Sequence, residues 1–176
     1  IKSITENELL PTEKDHFLTG QLHPVAYHKK RKNYDYEVNP KSTACITESA
    51  GTYYFAGGLL GGRTPEFLTM CHQLKENIDI DFTNDIVAVW HDESHINKYF
   101  SENEPKKLDP GYCYPQNWYL PFEQKTLLLN KSKLGGHAYL RGEGNTDKLV
   151  FIKEKLFFAK QIVRANLYRI FGYSFI

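Results

Sequence analysis

The chain has little sulfur and almost no net charge. Its 176 residues hold one Met and three Cys, and 22 basic side chains nearly cancel 21 acidic ones. A balance of +1 argues against the broad cationic face that a general nucleic-acid binder needs. Cys45, Cys71 and Cys113 are odd in number and scattered, without Cys-x-x-Cys spacing. That speaks against a disulfide framework or a structural zinc site and for a reducing compartment, the cytoplasm. No apolar run approaches the roughly 18 residues that span a bilayer. Ile1 is neither an initiator Met nor the start of a leader pattern, which predicts a piece of a longer chain.

What is present is ordinary for a globular domain with a real core: 41% hydrophobic and 24% charged residues. Twelve Tyr and eleven Phe suit rings stacking on sugars and equally suit a Tyr-rich core. Charge is unevenly placed. From Lys148 onward six basic side chains stand against Glu154 alone, so the preceding part is net acidic.

Residues 1–16 are polar and read as a connection or short helix. A strand is expected over 17–28, ending at His23-Pro24, because the residue before proline is pushed to extended geometry. Residues 29–41 read as a basic surface loop. Strands are expected near 43–47 and 52–60, with Ser49-Ala50-Gly51 as the turn. Thr64 and Pro65 predict a helix start, with Thr64 as the cap, followed by Phe67, Met70, Cys71 and Leu74 at helical spacing. Residues 85–90 read as a buried strand, Asp92 opens a helix to about Phe100, and 125–129 make a last short strand. Short strands alternating with helices indicate an α/β layer structure.

Trp90-His91-Asp92-Glu93-Ser94 carries the strongest chemical signal. An aromatic ring, an imidazole and two acids at a strand's end can meet a ligand in the crevice of an α/β sheet. Sugar transfer passes through an oxocarbenium-like state that a carboxylate beside the anomeric carbon can stabilise or attack. The plain alternative has Asp92 and Ser94 capping the helix and Trp90 packing in the core. His91 and His95, at i and i+4, raise a zinc hydrolase as another reading, with His72 or His137 as third ligand. Glu93, however, sits one place too late for a His-Glu-x-x-His helix. Ala56-Gly57-Gly58 and Gly61-Gly62 weaken a strand unless a ligand or backbone approaches closely. Lys131, Lys133 and Arg141 flank Gly135-Gly136-His137, an arrangement able to neutralise a leaving diphosphate.

Together these residues resemble glycosyltransferase family 6: the blood-group A and B transferases, the α-1,3-galactosyltransferases and their bacterial relatives. The matching segments are 22–24 (LHP), Tyr36-Glu37, 52–62 (TYYFAGGLLGG), 84–100 (NDIVAVWHDESHINKYF), 109–115 (DPGYCYP), Leu120-Pro121 and 135–141 (GGH…LR). The likeness runs over roughly residues 8 to 141 and leans to the bacterial branch.

The resemblance implies a GT-A fold of α/β class, of which residues 1–142 would be the C-terminal catalytic part. It implies retaining transfer from a UDP-sugar to the 3-hydroxyl of a galactoside, possibly fucosylated, on an oligosaccharide or glycolipid. By position Glu93 matches the catalytic carboxylate, acting as nucleophile or as ion-pair stabiliser, and Asp92 with His91 the donor-sugar contacts. His23, Asp35, Trp90 and Gln116 fall at acceptor positions. Ala56, Gly57 and Gly58 match the donor-selecting triplet, whose small residues favour N-acetylgalactosamine over galactose. Lys131 or Lys133, with Arg141, matches the tail that closes over the diphosphate. Two departures stand out: Glu37-Val38-Asn39 replaces Glu-Arg-Arg, and Ala50 replaces an acidic residue. The nucleotide-binding half, with its Asp-x-Asp metal motif, is expected before residue 1. Similarity to the bacterial branch implies transfer with no dependence on a metal such as Mn, and a carbohydrate-binding fragment without activity is the alternative.

Residues 143–176 lie beyond the likeness as a linker and tail. Leu149, Ile152, Leu156, Ala159, Val163, Leu167 and Ile170 fall on one helical face with Lys153, Lys160 and Arg164 beside it. Such a helix suits peripheral contact with the inner face of an anionic membrane, or packing on the domain or a second subunit.

Overall fold

Two phenyl rings meet over a glycine at the centre of the sheet. In the computed structural model, which describes residues 6–11, 16–131 and 150–172, strand β1 (Leu18–Leu22) lies between β2 (Phe55–Gly62) and β3 (Lys106–Leu108). It runs antiparallel to β2 and parallel to β3. A Cβ at Gly20 would stand 2.7 Å from Phe100 Cε2 and 2.9 Å from Phe55 Cδ1. Only glycine lets those rings pack edge-on at 5.0 Å.

Helices α2 (Thr64–Thr83) and α3 (Asp92–Glu102) cover that face. Leu18, Phe55, Met70, Ile96 and Phe100 form the core between sheet and helices. Met70 is buried with Phe67 and Leu74 against it, as the helical spacing predicts, but Cys71 is exposed. Thr64 is the helix's first residue rather than its cap: Arg63 holds the cap position and no side chain closes the end. A second cluster, Ala26, Tyr36, Ile46 and Tyr54, lies beneath the loop from 29 to 41. That loop is therefore only partly a surface feature. Arg31 holds it by donating Nε to the Ala50 and Gly51 carbonyls at 3.1 and 3.2 Å.

The register between β1 and β2 jumps. Gly20 pairs with Leu60 and Gln21 with Ala56, so Gly57, Gly58 and Leu59 have no partner on β1. The glycine pair thus forms a bulge, where the ladder opens and backbone N–H groups are released.

Two expected strands are absent among the described residues, for one physical reason. Residues 43–47 are turn and irregular chain, held where Asp81 accepts from Ser42 Oγ at 2.5 Å and from the Thr43 N–H at 2.7 Å. Residues 85–90 are likewise irregular: the Ile86 N–H donates to the Asp81 carbonyl at 2.9 Å and the Val89 N–H to Glu37 Oε2 at 2.8 Å. Thr43 and Val89 give their N–H groups to side-chain acceptors and Ile86 gives its own to a nearby carbonyl, so none of the three is free for a ladder. The last expected strand shrinks to β5 (Leu127–Leu128), parallel to β4 (Tyr114–Pro115).

At the N-terminal side, α1 (Glu6–Leu9) is tied down where the Leu9 carbonyl accepts from Thr19 Oγ1 at 2.8 Å. The tail helix α4 (Val150–Phe171) packs on the domain, but not by the anticipated face. Gln161 and Ala165, 1% and 0% exposed, point inward. Phe157 stacks near Trp118 at 4.8 Å and Tyr168 meets Tyr27 at 5.2 Å. Leu156, Val163, Leu167 and Ile170 face outward instead. Leu149 and the side chains of Ile152 and Lys153 lie outside the described residues. Among the described residues no helix is long and apolar enough to cross a membrane.

Candidate active site

The turn before α3 aims one carboxylate at the bulge of β2. His91, at φ 51°, ends the irregular stretch and turns the chain into the helix. A non-glycine residue with positive φ is uncommon, and it needs support from its surroundings. Here Ser94 Oγ accepts from the Trp90 N–H at 3.0 Å, while buried Glu37 takes the Val89 N–H. Glu93 then falls in the first turn of α3, where the helix N-terminus favours negative charge. Its Oε1 accepts from Tyr54 Oη and its Oε2 from the Gly57 N–H, each at 2.9 Å. One turn further, Asn97 donates to the Phe55 and Glu93 carbonyls, both at 2.9 Å, and accepts from the Phe55 N–H at 2.8 Å. Helix and strand are thereby locked, with the acid between them.

Glu93 lines a cleft of about 410 Å³ together with His23, Asp35, Tyr54 and Trp90. Lys29 reaches Asp35 at 2.5 Å across it. His23 Nδ1 accepts from the Val25 N–H at 3.1 Å, which leaves the ring proton on Nε2 as a donor. Burial lowers the His23 pKa against the pull of Glu93 and Asp35, so the imidazole is neutral. Burial, reinforced by Glu93, raises the Tyr54 pKa, so its hydroxyl keeps the proton that it donates. The same causes push the Cys113 thiol up to about 11, which removes it as a nucleophile at neutral pH. Trp90 is 51% exposed and presents its ring rather than packing in the core.

Four of the residues singled out from the sequence therefore share one cleft: Glu93, His23, Asp35 and Trp90. Gly57 touches Glu93, and a Cβ placed on Gly58 would meet nothing within 4 Å. Ala56 is buried and pairs with Gln21. His91 and Asp92 instead line a second cavity of about 340 Å³, with Asp81 and His95, on the other side of the turn. Gln116 does not line the cleft: its Oε1 accepts from the Asn130 N–H at 3.1 Å and closes the β4–β5 loop. Lys131 is exposed away from the cleft, and Lys133 and Arg141 lie outside the described residues.

The zinc reading finds no support in the geometry. The helix begins only after His91, so His91 and His95 are not helical i, i+4 partners. His95 is buried 3.7 Å from Asp81, and among the described residues no three His, Cys, Asp or Glu could hold a metal.

Tyr54, Asn97 and Glu37 hold the site together, yet sequence reasoning did not assign them these roles. Asn97 left a trace: a polar residue four places after Glu93, on a helix face shared with Phe100. The α4 residues Phe157, Gln161 and Arg164 also line the cleft. Nothing in local spacing could have brought them there.

A fixed carboxylate, a neutral imidazole donor, an open indole face and glycine backbone together suit a carbohydrate ligand. A model described as Glycosyltransferase family 6 matches residues 8–137. Over 103 residues the chain is 44% identical to histo-blood group ABO system transferase 1 of Rattus norvegicus, covering 56% of this chain and 29% of that protein. It is 38% identical over 101 residues to globoside alpha-1,3-N-acetylgalactosaminyltransferase 1 of Homo sapiens, covering 55% of this chain and 28% of that one. Against glycosyltransferase 6 domain-containing protein 1 of Mus musculus the identity is 36% over 103 residues, covering 58% and 32%. The chain thus spans less than a third of the length of these relatives. The match takes in every element from β1 to β5 and the carboxylate they converge on, and the chain belongs to glycosyltransferase family 6.

Proposed function

We propose that this chain carries the reacting centre of a retaining transferase that moves N-acetylgalactosamine, or less readily galactose, from a UDP-sugar to the 3-hydroxyl of a galactoside. The observation that carries the reading is the Glu93 carboxylate, held by Tyr54 and Gly57 beside the open space at Gly58. As the bond from C1 to the diphosphate breaks, its electron pair leaves with the phosphate oxygen and positive charge grows at C1. A carboxylate already fixed by two donors meets that charge without reorganising. The acceptor oxygen then bonds to C1, and its proton leaves with the departing diphosphate.

His23 and Asp35 offer polar contacts to the acceptor and Trp90 a face for its ring, with Gln116 supporting the loop beneath. Asp92 and His91, which line the neighbouring cavity and not the cleft itself, are assigned to the donor by the family resemblance, as are Lys131 or Lys133, with Arg141, to the diphosphate. Space at Gly58 for an acetamido group supports the N-acetylated donor, as does the activity for which the human globoside relative is named. The proposal includes transfer without a divalent metal, a place in the bacterial branch, and a cytoplasmic location. The exposed apolar face of α4, with Lys160 beside it, supports peripheral contact with an anionic membrane.

Glu93→Gln keeps the size of the side chain and one acceptor oxygen, which can still take the Gly57 N–H, but removes the charge. In the full-length protein, assayed with UDP-N-acetylgalactosamine and a galactoside with and without chelator, it should lose transfer by orders of magnitude. Near-wild-type turnover by a folded variant would overturn the assignment.

A further inference from the structure

We propose that α4 supplies one wall of the acceptor cleft and that Arg164, assisted by Gln161, recognises an acidic group on the acceptor glycan. This deepens the galactoside-transfer reading above and rests on it. The helix lies beyond the residues that match the family.

Arg164 lines the cleft alongside Glu93, Trp90 and His23. Both carboxylates there are engaged, Asp35 with Lys29 and Glu93 with Tyr54 and Gly57. Arg164 itself forms no hydrogen bond or ion pair among the described residues. Two further polar groups in the same cleft are buried without partners: Gln161 Oε1, on a residue 1% exposed, and His28 Nδ1, on a residue 9% exposed. A buried polar atom left unpaired carries a desolvation cost, so such atoms in a cleft point to a ligand that completes them. His28 is kept neutral, its pKa lowered to about 4 by burial and then by the Arg164 and Lys29 charges. It therefore adds hydrogen-bonding capacity without a second positive charge to compete for the anion.

The ligand implied has three parts: a sugar face for Trp90 and Phe157, hydroxyls for Gln161 and His28, and an anion for the guanidinium. Arginine's planar fork suits carboxylate and phosphate alike, so either an acidic sugar or a sugar phosphate meets the requirement.

Lactitol and lactobionate keep the same galactose on an open-chain unit that is neutral or a carboxylate, and lactose 1-phosphate keeps it on a closed ring bearing a phosphate. Titrated calorimetrically into the full-length protein at low salt, the two anionic probes should bind about tenfold more tightly than lactitol. The larger gain over the neutral parent, lactitol for lactobionate and lactose for lactose 1-phosphate, identifies carboxylate or phosphate as the natural group. Arg164→Gln should collapse the anionic-to-neutral ratio toward one, and Arg164→Lys should restore only part of it. Equal affinity for all three probes, or a ratio unmoved by Arg164→Gln in a variant with native circular dichroism, overturns this inference alone. Failure of all three to bind overturns the galactoside reading and this inference with it.

Discussion

Asn97 has every polar atom of its side chain engaged and is 2% exposed. Truncation to Ala strands the Phe55 N–H and carbonyl in the core, each of which then carries a desolvation cost. Asn97→Ala should lower unfolding free energy by about 2–4 kcal/mol, read as a shift of the urea midpoint. Gly58 is the opposite case. Its added Cβ meets nothing within 4 Å, so Gly58→Ala should leave the urea midpoint unchanged. The methyl group would still narrow the space proposed for the acetamido group. The ratio of transfer from UDP-N-acetylgalactosamine to transfer from UDP-galactose, compared as kcat/KM, should therefore fall; an unchanged ratio removes Gly58 from donor selection. At this scale Glu93 and Trp90 stood out in the sequence as an acid and a ring at short spacing, His23 stood out through the family resemblance, and the fold brings all three to one cleft. Tyr54 was not, since one Tyr among twelve gains its meaning only from a carboxylate 39 positions away.

Among the elements, α2 and α3 were readable from periodicity and from Pro65 and Asp92, because helix signals repeat within a few residues. Strands fared worse. Apolar content over 85–90 suggested burial, yet Val87, Val89 and Trp90 are exposed and the N–H groups bond elsewhere. Helix α4 shows the limit of counting apolar positions, since its inward face is built on Gln161, Ala165 and two rings. The outward face supports the membrane proposal, and it can be tested separately from folding. Val163→Asp with Ile170→Asp alters two side chains that are 59% and 69% exposed. The pair should cut co-sedimentation with anionic vesicles several-fold while the thermal midpoint stays put. Equal sedimentation of both proteins ends the membrane idea.

For the whole molecule, the pH response follows from buried histidines. His23, His28 and His95 all have pKa values lowered from 6.5, chiefly by burial, and that of His28 falls to about 4. Between those values the unfolded chain binds protons that the folded chain refuses, so stability rises with pH across the interval. The contribution is complete above about pH 6.5 and is lost as pH falls toward 4. For His28 alone it is worth at most about 3 kcal/mol. Thermal midpoints measured from pH 7.5 to 5 should therefore drop, and His28→Gln should flatten the slope. A midpoint independent of pH over that range contradicts the burial of these rings. Glu93 and Asp35 oppose the shift at His23, and Asp81, Asp92 and Glu37 oppose it at His95, which makes His28 the cleanest of the three to test.

From the sequence by itself came the family, the carboxylate at position 93, the glycine pair and the two central helices. Each is a matter of residue type at short spacing, and side-chain chemistry and helical period act over one or two turns. Tertiary structure alone decided which groups clamp that carboxylate, that the glycines lie on a register jump, and which face of α4 turns inward to meet the cleft. Those outcomes depend on contacts between residues tens of positions apart, where the competition among hydrogen-bond partners is settled only once the chain has folded.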